Sequence, residues 1–345
     1  MTTLLKNYTA DELAEHLTPA GISPSLARRI QAAVFRHGEF PAELVEVSPK
    51  RLANIRRHVE VPRLTLLNKV VSPKDGFVRY AFRGDGEGVF EAVAIPLTPR
   101  GRPPRLVICV SSQVGCALGC AFCATGRMGF VRDLAAWEIV DQVLQLRRDA
   151  ALPVAGVVFM GMGEPFLNYD AALKAADILR EPCGAAIAAK AITLCTAGWV
   201  PGIRRFTAER RPYRLLVSLT SADPGLRARL MPVEMRHPIG ELMEALRAYH
   251  ATTRRRVTLA WVMISGVNTR EEDARRLAEL TRGLPVKLNL IDVNDPSGRF
   301  RPPSPEELGR FRDALRRHLA APVARRYSGG ADIQAACGLL AGAPG

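Results

Sequence analysis

Leu106-Val107-Ile108-Cys109-Val110-Ser111-Ser112-Gln113-Val114-Gly115-Cys116-Ala117-Leu118-Gly119-Cys120-Ala121-Phe122-Cys123-Ala124-Thr125-Gly126 is the stretch on which the fold turns. It opens on an apolar run that reads as a buried strand and passes directly into a turn rich in thiols and glycine. From residue 105 onward the same alternation recurs. Apolar runs at 106–110, 156–160, 191–195, 215–219, 257–263, 286–291 and 322–327 read as strands, with helical segments between them. Two of these helices carry start signals, Thr269 with Glu272 and Ser304-Pro305 with Glu307. Strand-helix alternation sustained over about 200 residues predicts a parallel sheet, either open and doubly wound or closed into a full or partial barrel.

Outward from this core, residues 1–62 read as a helical module. Thr9 with Glu12 forms a capping box, and Ser23-Pro24 and Ser48-Pro49 each place an N-cap before a proline at the first helical position. Residues 63–104 read as a β-rich connector, with runs at 77–82 and 89–95 and a Pro, Arg and Gly surface connection from Pro99 to Pro104. Residues 105–345 form the α/β core. No repeat of fixed period and no low-complexity segment interrupts the 345 residues.

The chain has 48 Lys and Arg against 34 Asp and Glu, a net charge of +14. Such a surface suits a polyanion, although solvated basic faces are an equally good reading of charge alone. There is no run of eighteen apolar residues and no charged-then-apolar leader, so the expectation is a soluble, cytoplasmic protein that contacts no membrane. Seven cysteines, at 109, 116, 120, 123, 183, 195 and 337, are an odd number, which disfavours an extracellular disulfide framework and favours metal or redox chemistry.

Cys116, Cys120 and Cys123 are spaced to hold three irons of a [4Fe–4S] cube, leaving the fourth iron open to substrate. A structural zinc site would need a fourth ligand, and no second Cys or His pair lies nearby. After the second strand, Met160-Gly161-Met162-Gly163-Glu164-Pro165 combines glycines that admit close backbone approach with a carboxylate that can accept from an ammonium group. Further candidates lie where strands end: Cys195-Thr196-Ala197-Gly198, Ser218-Leu219-Thr220 and Asn268. In parallel β/α folds those ends gather on one face.

The cysteine spacing, with an aromatic before the last Cys, resembles the radical S-adenosylmethionine (SAM) signature. With Cys109-Val-Ser-Ser-Gln-Val-Gly-Cys, Gly-Met-Gly-Glu-Pro and the terminal Asp332-Ile-Gln-Ala-Ala-Cys337-Gly338-Leu-Leu-Ala-Gly, the whole chain resembles the RlmN/Cfr family of dual-cysteine RNA methyltransferases. That resemblance implies a radical SAM partial (β/α) barrel with a small helical domain, a SAM-coordinated [4Fe–4S] cluster, and methylation of an adenine carbon in RNA. It implies that Cys337 carries the methyl group, that Cys109 resolves the protein–RNA adduct through a transient disulfide with Cys337, and that Glu91 accepts the proton. Gly163, Glu164, Cys195, Ser218, Leu219, Thr220 and Asn268 match the SAM-contacting positions. Implied partners are 23S ribosomal RNA, with transfer RNA as a second substrate, and a flavodoxin or ferredoxin as electron donor, serving a monomeric enzyme. An amidine carbon of adenine is not nucleophilic, so radical addition suits it better than polar transfer, and thiol–disulfide exchange can close the cycle.

The chain departs from the family at several points. Thr220 stands where His is usual, Cys195 where Ser is usual, and Val293-Asn294-Asp295 where Trp-Asn-Pro is usual. Ser328-Gly329-Gly330-Ala331-Asp332 replaces Arg-Gly-Asp-Asp. The Gly-Ala-Asp-Ile run is nearer the carbon 8 branch and Val-Ser-Ser-Gln-Val-Gly-Cys nearer the carbon 2 branch, so both positions stay open. A catalytically retired RNA-binding paralogue is a third reading, disfavoured by the retention of all five assigned cysteines. Cys183 carries no assigned role.

Overall fold

The computed structural model describes residues 2–18, 21–99, 101–295, 297–326 and 328–342. The N-terminal segment runs β1 (Thr3–Leu4), α1 (Ala10–His16), α2 (Pro24–His37), α3 (Pro49–Arg56) and β2 (Val59–Glu60), with β1 and β2 paired in parallel. All three helices start as their residues dictate. Thr9 and Glu12 cap each other reciprocally, and the Ser23 and Ser48 hydroxyls accept from the amides of Leu26 and Arg51. Two-residue strands leave no periodic signal, so β1 and β2 escape a sequence reading.

Three antiparallel strands follow: β3 (Thr65–Val71), β4 (Val78–Arg83) and β5 (Phe90–Leu97). They are continuous with the core, because β5 pairs antiparallel with β6 (Arg105–Cys109). The chain then forms β7 (Gln113–Gly115), α4 (Ala124–Met128), β8 (Phe130–Asp133), α5 (Ala136–Asp149), β9 (Val154–Phe159), α6 (Tyr169–Arg180), β10 (Ile192–Thr196), α7 (Val200–Ala208), β11 (Arg214–Ser218), α8 (Pro224–Leu230), α9 (Ile239–Thr253), β12 (Val257–Met263), α10 (Glu271–Leu280), β13 (Val286–Asp292), α11 (Pro305–His318) and β14 (Val323–Arg325). Strands β6 and β9 to β14 are parallel neighbours in chain order, giving the sheet order β14-β13-β12-β11-β10-β9-β6-β5-β4-β3. This is a partial β/α barrel, as expected, extended along one edge by three antiparallel strands. Its parallel strands are covered on both faces, which is why they read as near-continuous apolar runs: Val157, Leu194, Val217, Leu259 and Leu288 have no exposed surface.

Three expectations need correction. The α10 cap lies one residue later than expected: Arg270 is the N-cap, the Asp273 carboxylate accepts from its amide, and Thr269 instead hydrogen-bonds Glu307. At α11 only half the capping box forms. Ser304 accepts from Glu307, but the Glu307 carboxylate is taken by Ser265, Gly266 and Thr269. The last strand is shorter than 322–327, and position 327, like position 100 in the surface connection, lies outside the described residues.

The N-terminal segment shares the barrel's core, through Leu5, Leu13, Ile30 and Val34. It is also tied by a buried ion pair. Lys6 Nζ donates to Asp141 Oδ1 of α5 at 2.7 Å and to the Pro62 carbonyl at 2.5 Å, while Asp141 Oδ2 accepts from the Leu64 amide at 2.8 Å. Burial lowers the Lys6 pKa, and Asp141 opposes that shift. Lys6→Met leaves the buried Asp141 with Arg148, 4.0 Å away, as its remaining cation and with the Leu64 amide and Gln145 as its donors, so the loss should be about 1–3 kcal/mol. A denaturant titration should show that loss. A change within about 0.5 kcal/mol would mean the pair contributes nothing.

Candidate active site

The cysteine loop is framed by β7 and β8, a short hairpin on either side of it. Gly115 has φ +73°, and a side chain there would collide with the Gly129 carbonyl, which instead accepts from the Cys116 amide at 2.8 Å. The hairpin thus closes the base of the loop, and Cys116, Cys120 and Cys123 line a common cavity with Glu164. Burial pushes the Cys116 thiol up to about 12, with Glu164 and Cys123 adding to the rise. Cys120 is raised by burial and by its two neighbouring thiols. Three thiolates crowded together repel one another, and a cationic iron–sulfur cluster removes that repulsion. Among the described residues, no three His, Cys, Asp or Glu side chains converge as a single metal ion requires. A cubane asks for less, since each thiolate takes a different iron.

The loop after β9 is built against the loop after β6. Ser111 Oγ donates to the Glu91 carbonyl at 2.5 Å and accepts from the Met162 amide at 2.8 Å, while Gln113 Oε1 accepts from the Glu164 amide at 2.8 Å. Gly163, at φ +94°, packs so closely on Gln113 that a Cβ would meet its backbone nitrogen at 2.8 Å. Glu164 is buried, and its oxygens accept from the Phe166 amide at 3.0 Å and the Ala197 amide at 2.8 Å. A carboxylate has about four acceptor positions, so capacity remains for an ammonium group. Burial raises the Glu164 pKa to about 7, against the pull of those amides.

Cys195 and Ser218 line the same cavity, with Sγ and Oγ 3.8 Å apart. Leu219, Thr220 and Asn268 are fully buried behind it. Asn268 latches backbone. Its Nδ2 donates to the carbonyls of Thr220 and Val262 at 2.8 Å each, and its Oδ1 accepts from the Ile264 amide at 2.7 Å. Thr220 sits at φ +60°, a conformation a β-branched residue rarely adopts, with its buried hydroxyl unpartnered among the described residues.

The C-terminal segment returns across the strand ends to meet this loop. Gly338 O accepts from the Ala124 amide at 2.7 Å, and Leu340 O accepts from Thr125 Oγ1 at 2.6 Å. Glu91, fully buried on β5, holds the end of the segment. Its Oε2 accepts from the amides of Ala341 and Gly342 at 3.0 and 3.3 Å, and Arg79 Nη1 donates to its Oε1 at 2.7 Å. Burial raises the Glu91 pKa, opposed by Arg79 and the two amides.

Cys337 therefore forms a wall shared by two cavities. One contains the cysteine loop and Glu164. The other, of about 350 Å³, is lined by Cys109 and by apolar side chains including Phe77, Val93, Ile95 and Ile291. Cys337 is exposed, whereas Cys109 is buried. Both Cys109 and Cys337 are free thiols whose pKa values burial raises, and Arg326 opposes the rise in each. Arg326, which also lines the larger cavity, was not singled out by sequence, and Met160, which lines it too, drew notice only as the first residue of the glycine-glutamate element. The available signal for Arg326 was its place at the carboxyl end of the last strand. Cys183 lies outside the site, its Sγ on Gln31 Oε1 of α2 at 3.1 Å.

A parallel partial barrel with a three-cysteine loop and a glycine-glutamate turn at its strand ends defines a radical SAM enzyme, which uses a [4Fe–4S] cluster and SAM. Residues 110–278 match the Radical SAM superfamily model. A crystal structure of a radical SAM methyltransferase from Sphaerobacter thermophilus superposes with a TM-score of 0.89 at 38% identity, covering 99% of this chain and 100% of that one. A probable RNA methyltransferase of Anaeromyxobacter sp. (strain Fw109-5) is 52% identical over 93% of this chain and 94% of its own length. The dual-specificity RNA methyltransferase RlmN of the same organism is 37% identical over 99% of this chain and 92% of its own. The chain belongs to the RlmN/Cfr family of radical SAM RNA methyltransferases. Among the described residues no helix is long and apolar enough to cross a membrane.

Two outcomes follow from this geometry. Anaerobically reconstituted protein should bind about four irons per chain, and Cys116→Ala, Cys120→Ala or Cys123→Ala should each abolish the iron–sulfur absorption. Glu164 has a native pKa above its unfolded value, so its contribution to stability is complete below the unfolded pKa and is lost as pH rises through about 7. Between about pH 5 and pH 8, cluster-free wild-type protein should lose more thermal stability than Glu164→Gln. Parallel profiles would exclude Glu164 as the source.

Proposed function

We propose that this enzyme methylates carbon 2 of an adenosine in 23S ribosomal RNA, with transfer RNA as a second substrate, by way of a methyl group carried on Cys337. The observation that carries this reading is the position of Cys337 in the wall between the two cavities. From there one sulfur can take up a methyl group on the Glu164 side and present it on the Cys109 side. When bound, the cluster and SAM supply the methyl group and the one-electron hydrogen abstraction that activates it. Electrons come from a flavodoxin or ferredoxin.

The chain's own residues do the rest. Cys116, Cys120 and Cys123 hold the cluster, and Glu164 accepts from the SAM ammonium, with Gly163, Cys195 and Ser218 shaping that wall. Leu219, Thr220 and Asn268 act on SAM from behind, through the backbone that Asn268 holds in place. After addition the adduct gives up its ring proton and, to the bound cluster, one electron. The Cys109 thiolate then attacks the Cys337 sulfur, and the sulfur–carbon bond breaks with its electron pair passing to the methylene carbon. That carbon takes up a proton to become the product methyl group, and two electrons from the same class of donor reduce the Cys109–Cys337 disulfide before the next turnover. For Glu91 to take the ring proton, the Ala341 and Gly342 amides must first leave it. The N-terminal segment supports RNA binding by exposing Arg28, Arg36, Lys50, Arg51, Arg56 and Arg57. The enzyme acts as a cytoplasmic monomer.

Carbon 8 methylation is the second reading. Anaeromyxobacter carries two relatives, and this chain is more similar to the one not named RlmN. Nucleoside mass spectrometry of RNA after anaerobic turnover separates 2-methyladenosine from 8-methyladenosine.

The two outer thiols give the sharper test. Cys337→Ala should keep its cluster yet transfer no methyl group, whereas Cys109→Ala should accumulate a covalent protein–RNA species through Cys337. Normal turnover by Cys109→Ala, with no crosslink on denaturing gels, would rule out the dual-cysteine route.

A further inference from the structure

Arg326 follows β14 at the carboxyl end of the last parallel strand, where its amide donates to the Leu290 carbonyl at 2.8 Å. Its side chain enters the 350 Å³ cavity that also holds Cys109 and Cys337. Among the described residues that line this cavity it is the one charged side chain. Its guanidinium has a single hydrogen bond among those residues, from Nη1 to Met160 Sδ at 3.5 Å. A thioether is a weak acceptor, and a guanidinium carries five N–H donors. Arg326 is half-buried, so the donors it leaves unspent on protein face solvent in the chamber and are free to exchange water for a ligand acceptor.

The reaction proposed above brings such a group into this chamber. A cavity of about 350 Å³ is at the lower end of the size range for small-ligand pockets, about 300–1,000 Å³, and its apolar walls suit a flat base. Adenine presents unprotonated ring nitrogens as acceptors, and two of them, N1 and N3, flank carbon 2. Phosphates of the same nucleotide would remain nearer the mouth.

We propose that Arg326 is a catalytic residue that donates a hydrogen bond to N1 or N3 of the target adenine, holding the base against Cys337 and polarising carbon 2. This rests on the carbon 2 reading. When the carbon radical on the Cys337 methyl group adds, a carbon–carbon bond forms and a ring C=N π bond opens. The unpaired electron passes onto the ring, and no proton leaves at that step. A sulfur-substituted carbon radical is electron-rich, so a cationic donor that withdraws density from the flanking nitrogen favours its addition. A preorganised donor of this kind is worth about 10²–10³ in rate.

The test is single-turnover methylation of a short RNA carrying adenosine, 1-deazaadenosine, 3-deazaadenosine or 7-deazaadenosine at the target, with wild-type, Arg326→Gln and Arg326→Lys holoenzyme. Iron content and SAM cleavage are measured alongside. Arg326→Gln should retain its cluster and SAM cleavage and slow adenosine methylation by about 100-fold, with Arg326→Lys between. On either the 1-deaza or the 3-deaza substrate the penalty for Arg326→Gln should shrink to within about threefold, because the acceptor is already gone. An undiminished penalty on both analogues would place the contact elsewhere, on a phosphate or on the Cys337 sulfur, and would overturn the proposal. Unimpaired methylation by Arg326→Gln would do the same. The wild-type arm stands without any variant: 7-deazaadenosine should react nearly as fast as adenosine and one of the other two analogues slowly, and equal rates on all three would exclude the contact. If the wild-type enzyme yields no 2-methyladenosine from the unmodified RNA, the carbon 2 reading itself fails.

Discussion

A buried carboxylate governs where the end of the chain lies. Glu91 on β5 has no exposed surface, and an ionised group in that position must be paired and hydrogen-bonded or it destabilises the fold by several kcal/mol. Arg79 satisfies one oxygen and the amides of Ala341 and Gly342 satisfy the other. The need of one carboxylate for hydrogen-bond donors therefore draws in a segment about 250 residues away along the chain. With that end fixed, and with Gly338 and Leu340 bonded to the residues after Cys123, Cys337, one residue before Gly338, is held across the strand ends.

The antiparallel edge acquires its meaning from this arrangement. Strands β3 to β5 extend the sheet beyond the parallel barrel, and they supply both the Glu91 anchor and much of the apolar wall of the larger cavity, through Phe77 beside β4 and Val93 and Ile95 on β5. Ser72 and the amide of Gly330 add two more ties between this edge and the C-terminal segment, to Asp332 and Asp75 respectively. The parallel barrel holds the cysteine loop and the glycine-glutamate turn. The second chamber exists because the edge strands face the returning tail.

Polar side chains around the site divide into those that face the cavities and those that hold the walls. Ser111 and Asn268 spend their hydrogen-bonding capacity on backbone, and Gln113 divides its own between the Glu164 amide and the Asp133 carboxylate, which keeps three strand-end loops in register. Glu164 does both, since two amides fix its orientation while its remaining acceptor capacity faces the cavity. Residues matched by motif alone, such as Leu219 and Thr220, can thus belong to the structural layer behind a site without lining it.

Local sequence determined the parallel strands, because strands buried on both faces must be apolar throughout. It determined the three-thiol loop as well, since a spacing of a few residues is preserved whatever the rest of the chain does. It also exposed the helix starts at Thr9, Ser23 and Ser48, which depend on contacts within four residues. Only the tertiary structure decided the rest. The shift of the α10 cap from Thr269 to Arg270 follows from a competing partner, Glu307, on another helix. The engagement of Glu91 by the tail, the latch made by Asn268 and the entry of Arg326 into the larger cavity all depend on which distant segments cross. Hydrogen-bond partners and cavity walls drawn from remote parts of the chain leave no trace in local periodicity.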